Sequence, residues 1–410
     1  MKKYFFNCFR QNKIITITVI MSFILRVVFS YGNSKLLIID VKTYDEFGMN
    51  ILKYGVMYNS TYLPPGYTYF LAFVYWLFGH VSLYVYIIQS LLGAGSTLLI
   101  YLTANNIFGR KVGIISAVLS LFYWPLTLYS GILLSETLFI FCFLFGVYLF
   151  LKGIDLEKSA YIASCGFMLA LSALTRSITL LFIFLIPLVA CILKRENIRW
   201  VLKNSIIYMG MFLITLTPWI IRNYMLYKTI IPVDSLGGIN LYIGNNEKSN
   251  GTFMDLSTDP LFNSGGNIYE TDKKLKEAAV NYILKHPERF LKTTMKRMLL
   301  FFKMDFYEFD WVLMTYMKEN ILLMNNYIGW VIFMKYSDII FFILGMVGLT
   351  TLIKKRKGII ILSFMFYFFL LTSAFYVQFR YRMPIIPFLS ISAGLGYAKV
   401  FDWLKIKKTA

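Results

Sequence analysis

Ten apolar stretches, each close to the length needed to cross a bilayer, restrict the fold of this chain more than any other property. They begin near Ile14, Val81, Val112, Leu133, Tyr161, Thr179, Ser205, Tyr336, Ile359 and Pro384. A hydrocarbon core about 30 Å thick takes roughly 20 apolar residues as a helix. Inside it only helices or closed barrels satisfy the backbone. Of the 410 residues, 58% are hydrophobic and only 15% charged, against about 25% charged in a soluble domain. That excess cannot hide in one water-soluble core. A soluble enzyme, a disordered chain, a collagen-like fibre and a disulfide scaffold are all excluded. The expected fold is an all-α polytopic membrane protein with about ten spans.

The net charge of +20 would point to nucleic acid in a soluble chain, but its distribution decides otherwise. With the N-terminus inside, basic side chains collect on the inner side at Lys2, Lys3, Arg10 and Lys13, at Arg110 and Lys111, at 194–203, at 354–357 and at 399–408. The two long outer loops, 33–66 and 222–335, carry almost no net charge. This positive-inside bias places both termini in the cytoplasm of a multi-pass inner or plasma-membrane protein. The excess charge meets anionic lipid rather than nucleic acid. The N-terminal stretch lacks a clear cleavage site and reads as a first span, not a signal peptide. Cys8, Cys142, Cys165 and Cys191 fall outside the outer loops and lack metal-ligand spacing, so no external disulfide is expected.

The segment Tyr67–Phe78 is too short to cross, and if it crossed, every later loop would invert. It is expected as a re-entrant or juxtamembrane helix on the outer face, within a first outer loop spanning 32–80. Residues 43–54 have the apolar spacing of a helix at Phe47, Ile51 and Tyr54. The second outer loop, 222–335, is the long polar region and is expected as a small mixed cap. In it 272–285 read as a helix ending before His286-Pro287, and 289–304 as a basic amphipathic helix with Arg289, Lys292, Lys296 and Lys303. The chain thus divides into an N-terminal transmembrane module (1–221), the cap (222–335) and C-terminal helices (336–410).

Ionisable residues near bilayer depth tend to be functional. Under this topology Asp40, Asp45, Glu46, Glu136, Arg176, Arg222, Arg380 and Arg382 share the outer side, drawn from five separated segments. A carboxylate can take a proton from a hydroxyl nucleophile, and arginines hold phosphates by paired hydrogen bonds. Each has a structural alternative. Glu136 can serve the start of its helix. Arg176 and Arg222 can snorkel at span ends. Asp40 can be a turn residue before a helix starting near Thr43. Arg26, within the first span, can pair with Asp338. His80 and His286 read as surface residues, and Asn59-Ser60-Thr61 matches a glycosylation sequon of little weight.

Several segments in order resemble a known family. They are Asp40 with Tyr44; Pro64-Pro65-Gly66-Tyr67; Leu77-Phe78-Gly79; Ser135-Glu136-Thr137; Leu174-Thr175-Arg176; Thr217 to Asn223 (TPWIIRN); Gly237 to Asn246 (GGINLYIGNN); and Arg380 to Pro387 (RYRMPIIP). Their order across nearly the whole chain resembles the GT-C glycosyltransferases. Within these it is similar to the branch of protein O-mannosyltransferases and the lipid A aminoarabinose transferase.

The resemblance implies a GT-C helical bundle and an inverting transferase taking a sugar from a polyprenyl-phosphate carrier. The acceptor would be a hydroxyl or phosphate of a lipid, glycan or protein at the outer face. It implies Asp40 as general base and Glu136 as the second acid, positioning the acceptor or a metal. Arg380 and Arg382 would hold the carrier phosphate, with Tyr44, Asp45, Arg176 and Arg222 as further binding residues. No cofactor is assigned, and a divalent metal is left open. The chain departs from the family pattern at Val41, which follows Asp40 where a second acid is common, and at Tyr62-Leu63 before Pro64. It also ends just after its last span, without a large soluble C-terminal domain. The rival reading is a lipid-linked sugar transporter or flippase. Internal repeats mark many transporters, and none is visible here.

Overall fold

The computed structural model describes residues 13–30, 39–55, 57, 60–302 and 327–409. Cys8, the basic N-terminal cluster before Lys13, Asn59 of the sequon and Lys303 lie outside the described residues. Sixteen α-helices, joined by short 3-10 turns, make up the described fold: α1 (Lys13–Ser30), α2 (Ile39–Tyr54), α3 (Pro65–Phe78), α4 (Ser82–Phe108), α5 (Arg110–Leu121), α6 (Trp124–Leu128), α7 (Glu136–Leu156), α8 (Ser159–Thr175), α9 (Phe182–Leu193), α10 (Ile198–Tyr227), α11 (Gly237–Gly244), α12 (Ile268–Lys285), α13 (Pro287–Phe302), α14 (Tyr327–Leu352), α15 (Gly358–Ala374) and α16 (Ile386–Thr409). Among the described residues β-structure amounts to one isolated bridge, Thr252 to Val377. In the described part of the cap, helices are joined by long turns and by this bridge.

Helices occupy all ten apolar stretches. Among the described residues, five are long and apolar enough to cross alone: Lys13–Ser30, Ser82–Phe108, Glu136–Leu156, Ile198–Tyr227 and Val331–Leu352. The third stretch is broken, its halves Arg110–Leu121 and Trp124–Gly131 meeting at 71°. Pro125 explains the break, since it sits in the first turn of α6, where a missing N–H costs nothing and the preceding chain is pushed out of helix. Three further apolar helices, Ser159–Thr175, Ser177–Leu193 and Gly358–Ala374, are shorter. The last helix, α16, is apolar up to Ala398, before Lys399 and Asp402. These helices make the chain a multi-pass membrane protein.

Lipid-facing and core-facing surfaces separate as expected for such a bundle. Ile14, Ile17, Ile24 and Val28 of α1 are exposed, while Ser22 and Arg26 on the same helix are buried. The interior is built on aromatic contacts, with Phe143 meeting Phe182, Phe368 and Phe388 at 5.1, 5.3 and 5.7 Å. Small residues let helices approach where lipid offers no hydrophobic drive. A Cβ on Gly348 would lie 1.8 Å from the Ser392 carbonyl oxygen, and one on Gly396 2.0 Å from that of Leu344. These two glycines set the spacing of α14 and α16.

In the described part of segment 32–80 both expected helices form, with one difference in their bounds. Helix α2 begins at Ile39, a turn earlier than the apolar spacing indicated, which brings Asp40 into its first turn. A carboxylate is favoured there by the helix dipole. Helix α3 begins with Pro65 in its first turn, as a missing N–H allows. It packs against α2 and the end of α8. In the cap, Asn267 accepts from the Glu270 N–H at 3.0 Å and donates to its carboxylate at 3.2 Å, a reciprocal cap. This starts α12 four residues before the segment read from the sequence.

Candidate active site

Two carboxylates and two arginines meet where four elements end. Asp40 and Glu136 each open a helix, α2 and α7. Arg176 stands in extended backbone at the C-terminal end of α8 (φ −150°, ψ 115°). Arg380 lies in the 3-10 turn Phe379–Arg382 between α15 and α16. Helix starts favour the anions, and helix breaks free the arginines to reach across.

Arg380 Nη1 donates to Asp40 Oδ2 at 2.5 Å, closing a contact between residues 340 apart in sequence. Arg176 Nη1 donates to Glu136 Oε1 at 2.6 Å, with the glutamate side chain only 2% exposed. The two pairs form one cluster. Arg380 lies within electrostatic reach of Glu136, and Arg176 within reach of Arg380. The Tyr381 ring lies between the guanidinium groups, its centroid 5.8 Å from each. Burial disfavours the Arg380 charge, but Tyr381, Asp40, Glu136 and Tyr376 outweigh it and raise its pKa above the ordinary value. Tyr44, one turn after Asp40 on the same face, hydrogen-bonds Ser135 and lies in reach of Asp40, Glu136 and Arg176.

Quoted motifs explain how these pieces are held. A Cβ on Gly66 would lie 2.7 Å from Thr175 Oγ1 and 2.9 Å from the Leu174 carbonyl oxygen. The Pro-Pro-Gly-Tyr segment thus needs glycine so that α3 can rest on the end of α8, beside Arg176. Tyr67 donates to Gln89 at 2.7 Å, and Gln89 donates to the Ser130 and Ile132 carbonyls at 2.9 and 2.8 Å. This chain fixes the turn that presents Glu136. Glu136 Oε2 is buried with no hydrogen-bond partner, so one acceptor stays available at the cluster.

Other expected site residues are placed elsewhere. Arg222 donates to the Met57 and Ser60 carbonyls at 2.8 and 3.1 Å and stacks on Trp219 at 4.4 Å. Trp219 donates to the Val233 carbonyl at 2.6 Å, and Asn223 to that of Ile231 at 2.9 Å. The TPWIIRN segment is therefore a clamp on two loops, and Arg222 is a backbone anchor rather than a member of the cluster. Asp45 accepts from Tyr75 at 2.6 Å and lies 2.9 Å from His80 Nε2. It sits on another face of α2 from Asp40, and His80 is its partner rather than a lone surface residue. Arg382 is buried and turned toward Tyr123 and Asp338. Residues two apart in a 3-10 turn diverge by a third of a turn, which separates it from Arg380. Asp338 thus faces Arg382, not Arg26.

Asp234 was not anticipated. It hydrogen-bonds Ser177 and lies in reach of Arg176, and burial pushes its pKa up to about 6. Its loop is the one held by Trp219 and Asn223, which is the signal the sequence offered. Tyr376 and Tyr381 also emerge, their hydroxyls 2.5 Å apart. Among the described residues no three His, Cys, Asp or Glu side chains gather as metal ligands.

Residues 63–221 match the family described as dolichyl-phosphate-mannose-protein mannosyltransferase. A search of curated proteins finds no match. Among solved structures, ArnT from Cupriavidus metallidurans bound to undecaprenyl phosphate aligns at 12% identity and TM-score 0.58, covering 95% of this chain and 60% of that one. The oligosaccharyltransferase AglB from Archaeoglobus fulgidus, in complex with an inhibitory peptide and a dolichol-phosphate, aligns at 12% identity and TM-score 0.59, covering 98% and 52%. The chain thus spans between half and two thirds of the length of these neighbours. Residues 63–221 thus resemble the dolichyl-phosphate-mannose-protein mannosyltransferases, and the described chain shares its fold with ArnT and AglB.

Proposed function

We propose that the chain is a membrane transferase that moves a sugar from a polyprenyl-phosphate-linked donor to a hydroxyl or phosphate of a lipid, envelope glycan or protein. The reaction takes place at the outer face, with inversion at the sugar. Module 1–221 supplies both acids and Arg176, the C-terminal helices supply Arg380, and Asp234 of region 222–335 lies within reach of Arg176. The observation that carries the reading is the Asp40–Arg380 pair set against the Glu136–Arg176 pair. Further support comes from the likeness in fold to ArnT bound to undecaprenyl phosphate and to AglB in complex with a dolichol-phosphate.

The geometry gives each residue a task. The donor phosphate competes for the Arg380 guanidinium and releases Asp40. The freed carboxylate takes the proton of the acceptor hydroxyl. The acceptor oxygen bonds to the anomeric carbon as the bond to the carrier phosphate breaks on the opposite side. The leaving phosphate gains negative charge, which Arg380 and Arg176, fixed in advance, stabilise. Glu136 holds Arg176 and, through Oε2, orients the acceptor.

The test is mass spectrometry of lipids and glycans from cells with and without the chain. The expected result is loss of one glycosylated product and accumulation of one carrier-linked sugar. Identical profiles would overturn the proposal.

A further inference from the structure

Arg26 differs from Arg176, Arg380 and Arg382 and, like the buried Arg297, has no carboxylate close by. Arg176, Arg380 and Arg382 each have a carboxylate close by. Arg26, 2% exposed in α1, has no ionisable group of the described residues within electrostatic reach. The segments flanking α1, 1–12 and 31–38, contain no Asp or Glu. Its Nη1 donates to the Ser22 carbonyl at 3.0 Å and to the Ser22 hydroxyl, while its buried Nε has no partner.

The site is built around this side chain. A Cβ on Gly93 would lie 2.3 Å from Arg26 Nε and 2.6 Å from its Cδ, so α4 holds a glycine where the guanidinium passes. Beside it lies a cavity lined by Arg26, Gly93, Ser96, Thr97, Thr137 and Met383, among others, of about 10 Å³ for a water-sized sphere. Thr137 follows Glu136 and Met383 follows Arg382, so the cavity adjoins the candidate active site from within the bundle.

Charge and size select the occupant. A guanidinium does not shed its proton, and a desolvated ion without a counter-charge costs several kcal/mol. Intramembrane arginines accordingly pair with an anion or polar groups. A cavity near 10–15 Å³ by this measure holds one water-sized particle, which excludes phosphate, sulfate and any lipid headgroup. We infer that the Arg26 guanidinium, in the space that Gly93 leaves beside it and with Thr137 in the lining, forms a binding site for a single monatomic anion of the halide class between α1, α4, α7 and α16.

The test uses the purified full chain in detergent, in gluconate buffer at constant ionic strength. Sodium chloride, bromide or phosphate is titrated in while the melting temperature is followed by intrinsic fluorescence. Chloride and bromide are expected to raise it to a saturating plateau, and phosphate to leave it unchanged. Arg26→Gln and Gly93→Ala, each checked for helix content, are expected to abolish the halide response, the second because its methyl group displaces the guanidinium into the cavity. Should either variant fail to fold, the wild-type titration still decides. Equal melting in chloride and gluconate, a response to phosphate as large as that to halide, or a halide response that survives in both folded variants would overturn the site. The readout is melting rather than turnover, so its outcome is independent of the proposed reaction.

Discussion

Asp40→Asn separates catalysis from folding, because the two effects differ in size. The substitution keeps the shape of the side chain and removes its charge. The Asp40–Arg380 pair is short, at 2.5 Å, but its side chains are 37% and 26% exposed. Solvent screens such a pair, and its loss costs about 0–1 kcal/mol, so the melting temperature hardly moves. Removing a general base slows turnover by about 10²–10⁴, a barrier increase of about 3–5 kcal/mol. A third effect is specific to this geometry. Arg380 loses the carboxylate that competes with the donor phosphate, so polyprenyl phosphate should bind up to about fivefold tighter, the same ~1 kcal/mol returned as affinity. The assay reconstitutes the chain in liposomes with carrier-linked sugars extracted from its host. It follows product by mass spectrometry and measures carrier binding directly. Normal turnover in the variant, or carrier binding weakened tenfold, would refute the reasoning.

Arg176→Met should be more damaging to the fold than Asp40→Asn, by about 3–5 kcal/mol, because it strands a Glu136 carboxylate that is 2% exposed; adding Glu136→Gln should recover much of the loss in a denaturant titration. Gly348→Ala places a methyl carbon 1.8 Å from the Ser392 carbonyl oxygen and should force α14 and α16 apart at a cost of about 1–3 kcal/mol, read as a lower melting temperature and lower folded yield. Asp234 has a folded pKa of about 6, above its ordinary 3.8, chiefly through burial. The folded state therefore keeps a proton that the unfolded state gives up, and stability falls as pH rises from about 4 to above 6. Asp234→Asn should flatten this profile, gaining about 1–3 kcal/mol above pH 6 and nothing near pH 4.

Much of the fold was legible in the sequence because its signals are local. Apolar length marked the helices, and their spacing located α2, although not its first turn. The short run after Pro65 was recognisable as a helix unable to span the membrane, since 14 residues rise only about 21 Å. The break at Pro125 was missed because hydropathy ignores backbone direction. The ordered motifs also pointed to the family that residues 63–221 resemble, and one of them holds Gly66, which the contact with Thr175 requires.

The sequence alone determined a multi-pass helical bundle with acids and arginines at the ends of its helices. Only the tertiary structure decided which of these side chains meet. Arg380 and Arg382 are equivalent by composition and spacing, yet one reaches Asp40 and the other turns to Asp338. Arg222 looked like a phosphate ligand and instead holds the carbonyls of Met57 and Ser60. Asp234, which nothing in the sequence singled out, lies within electrostatic reach of Arg176. Hydropathy and periodicity act over a few turns of chain, whereas an ion pair between residues 340 positions apart depends on how whole helices cross, and that is set by close contacts such as those at Gly66, Gly348 and Gly396.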